Sequence, residues 1–212
     1  MATRASERER RRADIAGAAL ALFLKRPVAH VPLREIAEAI GVDFFVVYRQ
    51  FADRDQLYRS AVTPLIDRLA AQLAGPSPTI GSVREAIAAN IRDLTDLLRS
   101  SAYRDLAYLR LRDGALQPWL DRTHRAAIVR PFERRLESAI RRAGDAAGLT
   151  IGIRPGVGGK VFRWLEGAIA AAGLFPGAEP LTRDELDALR QTAVARLFAA
   201  TYAIELAETV AA

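Results

Sequence analysis

LREIAEAIGVDFFVVYRQF, residues 33–51, is the stretch that decides the fold of this chain. Its first half places Leu33, Ile36, Ala37 and Ile40 on one helical face. Pro32 stands just ahead, where the first turn of a helix tolerates a missing N–H. Gly41 follows the last apolar residue, the place for a left-handed helix cap. Asp43 is a good N-cap for a second short helix from Phe44 to about Phe51. Ala37 lets that second helix cross close to the first, and Ile36 and Val47 glue the two together. Two short helices joined by a tight glycine turn form a helix-turn-helix, an arrangement that offers one face of its second helix to a DNA major groove.

The helical period extends in both directions. Upstream, Ile15, Ala19, Leu22 and Phe23 line one face of a helix. Downstream, Leu57, Ala61, Leu65, Leu69 and Leu73 form a stripe in a longer helix that starts near Asp53, and Pro64 inside it predicts a kink or break. Residues 75–81 are a Gly/Pro/Ser loop. Capping boxes open two later helices at Ser82–Glu85 and Thr182–Glu185. Gly114 and Pro118 punctuate a junction, Pro131 interrupts a long stretch from 119 to about 143, and residues 149–159 read as a loop. Two last helices cover about 157–174 and 183–210. No alternating run argues for a sheet. The expectation is an all-α chain of about nine helices. A three-helix module at 1–52 precedes a larger helical body at 53–212.

The pattern resembles the signature of the tetracycline-repressor (TetR) family of transcriptional regulators. Its carriers are Ile36-Ala37, Gly41-Val42, Val47-Tyr48-Arg49-Gln50-Phe51 and Asp53-Arg54-Asp55-Gln56-Leu57, together about residues 12–58 with the preceding helix. The resemblance implies a homodimer that binds a double-stranded DNA operator and is released by a small molecule. By the same resemblance, Tyr48 and Arg54 meet phosphates, Arg49 is a further backbone candidate, and Phe51 locks the reading helix onto the next one. The implied DNA-contacting set is Arg34, Asp43, Phe44, Phe45, Val46, Tyr48, Arg49 and Arg54. A basic arm (Arg4, Arg8, Arg10, Arg11, Arg12) is placed to reach an adjacent groove or to remain a solvated tail.

Three positions depart from the family pattern. Val31-Pro32 stands where Thr or Ser commonly caps the first helix of the motif. Asp43 replaces a serine, and a carboxylate there repels phosphate. Phe44, Phe45 and Val46 occupy base-facing positions that are commonly small or polar. They pack on thymine methyls or distort a base step, and they donate no hydrogen bonds. Phe44 is expected to point outward; Val47 and Phe51 are expected in the core. Ten basic and eight acidic residues leave residues 1–55 with a charge of only +2. These departures support a second reading, a TetR-like dimer that has lost DNA reading and senses a ligand or binds a protein partner.

The resemblance also implies an effector pocket in the middle of the body and a dimer interface at its end. Tyr103, Tyr108, Trp119, His124, Phe132 and Trp164 are the candidate pocket lining, suited to a flat, largely apolar ligand. Leu165, Ala168, Ala172, Leu189, Leu197 and Ile204 are the candidate dimer contacts, with small residues permitting close helix approach.

Composition bounds the rest. The chain has 212 residues and a formal charge of +6, with lysine only at Lys25 and Lys160 among 31 basic residues. A basic balance favours an anionic partner such as nucleic acid. There is no cysteine, so disulfides and thiolate metal sites are excluded. His30 and His124 are the only imidazoles and lie far apart, so neither a metal nor a cofactor is expected. Gly156-Val157-Gly158-Gly159-Lys160 lacks the spacing and the Ser/Thr of a phosphate-binding loop, and no Gly-x-Ser-x-Gly occurs. No catalytic residue is assigned and no enzyme is expected. The Arg-rich start before Ile15–Leu24 carries Glu7, Glu9 and Asp14, unlike a signal peptide. The most apolar stretch, Trp164–Phe175, contains Glu166 and is shorter than the ~18 residues of a membrane span. A cytoplasmic protein is expected.

Overall fold

The computed structural model describes residues 4–75, 81–174 and 179–203. The helices are α1 (Arg4–Lys25), α2 (Leu33–Ala39), α3 (Phe44–Gln50), α4 (Arg54–Leu73), α5 (Val83–Arg99), α6 (Ser101–Asp113), α7 (Trp119–His124), α8 (Arg130–Ala146), α9 (Val157–Leu174) and α10 (Arg183–Phe198). A π-helical segment, Arg125–Val129, joins α7 to α8 through helical backbone at His124 and Arg130. The described residues thus form nine separate helical rods, as the periodicity predicts. No described helix is long and apolar enough to cross a membrane. Packing sorts the chain into two compact units, one of residues 1–68 and 105–123, the other of 69–104 and 124–212.

The first unit is built around the helix-turn-helix. Ile15, Ala19, Phe23, Ile36, Ala37, Val47 and Phe51 are buried in its core. The turn at Gly41 has φ of 66°. Its hydrogen bonds, Val42 N–H to the Ala37 carbonyl at 3.0 Å and Gly41 N–H to the Glu38 carbonyl at 3.1 Å, close α2 in a Schellman motif. Asp43 caps α3 by accepting from the Phe45 N–H at 2.7 Å, a contact of the kind that contributes about 0.5–2 kcal/mol. Asp53 does the same for α4, accepting from Gln56 N–H at 2.6 Å.

The break allowed for at Pro64 does not occur: helix α4 is continuous across it, and Pro64 is exposed. A second expectation is corrected. The basic residues from Arg4 onward are the first turns of α1 and not an arm, because the helix that buries Ile15 and Ala19 continues upstream.

In the second unit, α5 and α8 pack through small residues, Ala86 against Ala139 and Ala143, with Val83 partly buried beside them. Helices α9 and α10 pack on α5 and on each other. Both capping boxes form. In the first, Glu85 accepts from the Ser82 N–H at 2.8 Å and the Ser82 hydroxyl at 3.0 Å. Those bonds hold the Glu85 carboxyl below its ordinary value of 4.5. A lowered folded value means stability present above pH 4.5 and lost as pH falls below it. Glu85→Gln is therefore expected to flatten the acid limb of the stability profile below pH 4.5, measured by urea unfolding across pH 3–7; an unchanged limb refutes the assignment.

Pro131 interrupts the long helical stretch as expected, and the form of the interruption is the π segment just before it. A proline has no N–H to give the carbonyl four residues back, and its ring crowds that carbonyl, so the chain widens by a residue. The loop expected at 149–159 is corrected. Ile151–Ile153 forms β1 and pairs antiparallel with β2 (Thr201–Ala203), Gly152 opposite Tyr202. Three-residue strands are too short to show as an alternating pattern. Gly144 permits the close return of the chain after α8. A Cβ there would lie 2.7 Å from the Leu149 carbonyl oxygen and 3.0 Å from Ile151 Cγ1. Gly144→Ala is expected to cost about 1–3 kcal/mol by overpacking, read as a lower urea midpoint; an unchanged midpoint would show that the return relaxes freely.

Candidate functional site

Helix α3 carries a face that its own packing cannot use. Val47 is fully buried and Phe51 nearly so, which fixes the helix rotation. Phe45 and Tyr48 are then 67 % and 56 % exposed, and Arg49 is exposed beside them. Phe44 and Val46 are half-buried. The rings form one aromatic surface: Phe44 stacks on Tyr48 at 6.1 Å between centroids and meets Phe45 edge-on at 5.8 Å. Arg34 on α2 and Asp43 at the start of α3 are exposed. The Asp43 carboxylate is turned to the backbone of α3, where it serves the helix.

Arg54 is placed differently from a free phosphate ligand. Its Nη1 donates to the Ala29 carbonyl at 2.8 Å, tying the start of α4 to the turn before α2. Arg12 is a residue that sequence reasoning grouped only with the arm. It donates to the Gln50 carbonyl and to Ser60 Oγ at 3.2 Å, and its guanidinium sits 4.3 Å above the Phe51 ring. It therefore clamps the end of α3. Nothing in local sequence marks this, since its partners are 38 and 48 residues away.

A second cluster lies in the other unit. Tyr103, His124 and Phe132 are buried together with Phe162. Tyr103 meets His124 at 5.9 Å between rings, His124 meets Phe162 at 5.9 Å, and Phe162 meets Phe132 at 5.7 Å. The Tyr103 hydroxyl donates to Glu166 Oε1 at 2.7 Å and lies 2.9 Å from His124 Nε2. A hydroxyl has one proton; once it is given to the carboxylate, the oxygen accepts from Nε2–H, so the chain runs from imidazole to tyrosine to carboxylate. His124 is also the residue from which the π segment departs, a distortion frequent at functional sites. Glu166 and Phe162 were missed as site residues, although their spacing of four on α9 puts them on one face.

The remaining expected pocket residues are dispersed. Trp164 is half-buried with Arg196 over its ring at 4.4 Å. Trp119 and Tyr108 belong to the first unit. There Trp119 is buried edge-on to Tyr58 at 6.1 Å and donates to Gln117 Oε1 at 2.7 Å, and Tyr108 is 37 % exposed. Of the expected dimer contacts, Leu165 and Leu197 are fully buried within one chain, and Ala168 and Leu189 are half-buried. Ile204 and the side chain of Ala172 lie outside the described residues.

A capped reading helix held by a glycine turn and joined to a helical body defines the helix-turn-helix class of protein. Residues 15–61 match the family model for bacterial regulatory proteins of the tetR family, and the chain as a whole has the fold of TetR-family transcriptional regulators. It is similar to a protein described as a TetR-family regulator from Mesorhizobium loti, at 20 % identity and a TM-score of 0.69, covering 94 % of this chain and 99 % of that one. A TetR family transcriptional regulator from Pseudomonas syringae pv. tomato is similar at 20 % identity and a TM-score of 0.64, covering 91 % and 97 %. Salmonella enterica GusR is similar at 16 % identity and 0.63, covering 92 % and 98 %. No curated protein sequence matches the chain.

Proposed function

We propose that this protein is a DNA-binding transcriptional regulator, a homodimeric cytoplasmic repressor relieved by a small, largely apolar effector. The carrying observation is the outward aromatic face of α3, Phe45 and Tyr48 exposed while Val47 is buried. Large aromatics left in water on a helix braced from behind await a partner. Two copies reading half-sites about one helical turn apart, roughly 34 Å, predict an operator with inverted symmetry. Residues 1–52 act as the reading head in this account, and 53–212 as the effector and dimer body.

Tyr48, Arg49 and Arg34 are the proposed phosphate contacts, and Phe44, Phe45 and Val46 the base-facing surface. Asp43 orients that surface and Arg54 holds the head together. Tyr103, His124 and Glu166 are the proposed polar end of an effector site whose apolar wall is Phe132 and Phe162. Ala168 and Leu189 are the proposed dimer contacts, because both keep accessible surface within one chain.

Selection of genomic fragments by the purified protein, followed by titration of the best fragment at two salt concentrations, tests the proposal. Recovery of an inverted repeat, bound with a steep salt slope, is the expected result. No enriched sequence, with only weak binding to any duplex, supports instead a TetR-fold sensor that acts through a ligand or a protein partner. Asp43 and the apolar α3 surface favour that second reading.

A further inference from the structure

Four arginines face one cleft on the body of the protein. Arg92, Asp96 and Arg99 from α5, and Arg183, Asp187 and Arg190 from α10, line a cavity of about 500 Å³. Leu186 is its single apolar lining residue. Four guanidinium groups against two carboxylates leave a net charge of +2.

The pairing inside the cleft is uneven. Asp96 lies four residues after Arg92, and Asp187 four after Arg183, the spacing at which helical ion pairs form. Neither pair is made. Both carboxylates turn to Arg190, Asp96 at 2.6 Å and Asp187 at 3.4 Å, while Arg190 Nε donates to the buried Thr95 hydroxyl at 2.8 Å. Arg190 is thereby fixed, and with its two carboxylates it forms a group of net charge −1. Arg92, Arg99 and Arg183 make no ion pair among the described residues. These three cations face only the one excess negative charge of the Arg190 group, which leaves the cleft at +2, a surplus that an anion would offset.

We propose that this cleft binds a small organic phosphate. A phosphate monoester carries about −1.5 to −2 charge at neutral pH, which matches the +2 of the cleft. Its three oxygens accept from several guanidinium forks at once. The volume lies within the ~300–1,000 Å³ of small-molecule sites and exceeds what a bare phosphate fills. The polar lining calls for a hydroxyl-rich organic part. The site is separate from the Tyr103–His124–Glu166 cluster and independent of the effector proposed there.

Calorimetric titration of the full chain with glucose 6-phosphate, inorganic phosphate, glucose and malonate, at ionic strength matched with chloride, tests this. Saturable binding of glucose 6-phosphate, tighter than inorganic phosphate and with none for glucose, is expected. Arg99→Ala and Arg183→Ala each weaken it at least tenfold; both positions are exposed, so the thermal midpoint holds. Arg68→Ala, an exposed arginine on α4, leaves affinity unchanged. Absence of saturable binding, or affinity that survives both cleft substitutions, overturns the proposal. Malonate binding more tightly than either phosphate assigns the cleft to dicarboxylates and overturns the phosphate reading.

Discussion

Asp113→Ala is expected to cost about 3–5 kcal/mol, the range for breaking a buried ion pair by removing one partner. Asp113 is 1 % exposed at the end of α6. Its carboxylate accepts from Arg112 Nη2 at 2.7 Å, from Arg112 Nε at 3.1 Å and from the Tyr58 hydroxyl at 3.0 Å. Arg112 also donates to the Phe23 carbonyl, and Phe23 packs edge-on to Tyr58 at 5.0 Å. One carboxylate therefore joins α1, α4 and α6 inside the first unit. Alanine leaves a guanidinium that is 15 % exposed without its counter-charge and a buried hydroxyl without an acceptor. Urea unfolding followed by circular dichroism measures the loss; a change under about 1 kcal/mol would show that water replaces the carboxylate. Tyr58→Phe combined with Asp113→Ala should cost less than the two changes summed, because they delete one shared contact.

The same contact has an alkaline signature. Burial, then the charge of Asp113, pushes the Tyr58 hydroxyl well above its ordinary value of 10. A raised folded value gives stability that is present below pH 10 and lost as pH rises beyond it. Tyr58→Phe is expected to remove that alkaline loss.

Phe45→Ala is the second large effect, and it separates the two readings of α3. Phe45 is 67 % exposed, so its loss should leave stability within about 0.5 kcal/mol. Affinity for the selected operator should fall about tenfold to a hundredfold, the ~1–3 kcal/mol carried by one base position. Binding to unrelated duplex should change little. Tyr48→Phe should instead weaken binding to every sequence alike, as loss of a phosphate contact does. If Phe45→Ala leaves operator affinity unchanged, the aromatic face is no reader, and the partner that covers it is a protein or a ligand.

Much of the reading head is legible in the sequence. Gly41, Asp43, Val47 and Phe51 each act within a few residues of where they stand: a positive φ, a cap, a buried rotation marker and an extended stop. The buried cluster around Tyr103 and His124 is only half legible. Tyr103, His124 and Phe132 are visible as amphipathic aromatics and an imidazole, but Glu166 looked like no more than a charge in an apolar helix. Trp119 and Tyr108 share that amphipathic chemistry yet belong to the other unit. Residue type does not say which of several apolar faces a side chain joins.

What the sequence by itself determined is therefore the local grammar: helix periods, capping boxes, the glycine turn and the family likeness they carry. Those features depend on backbone torsions and hydrogen bonds that close over three to five residues. The tertiary structure alone decided that Arg12 clamps α3, that Asp113 holds Tyr58, that Glu166 completes the Tyr103 chain, and that two short strands pair. These contacts join residues 38, 55 and 63 positions apart, or strands across 50. Which charge meets which partner at such distances follows from how buried faces stack, because a buried polar group must find a partner wherever packing leaves one.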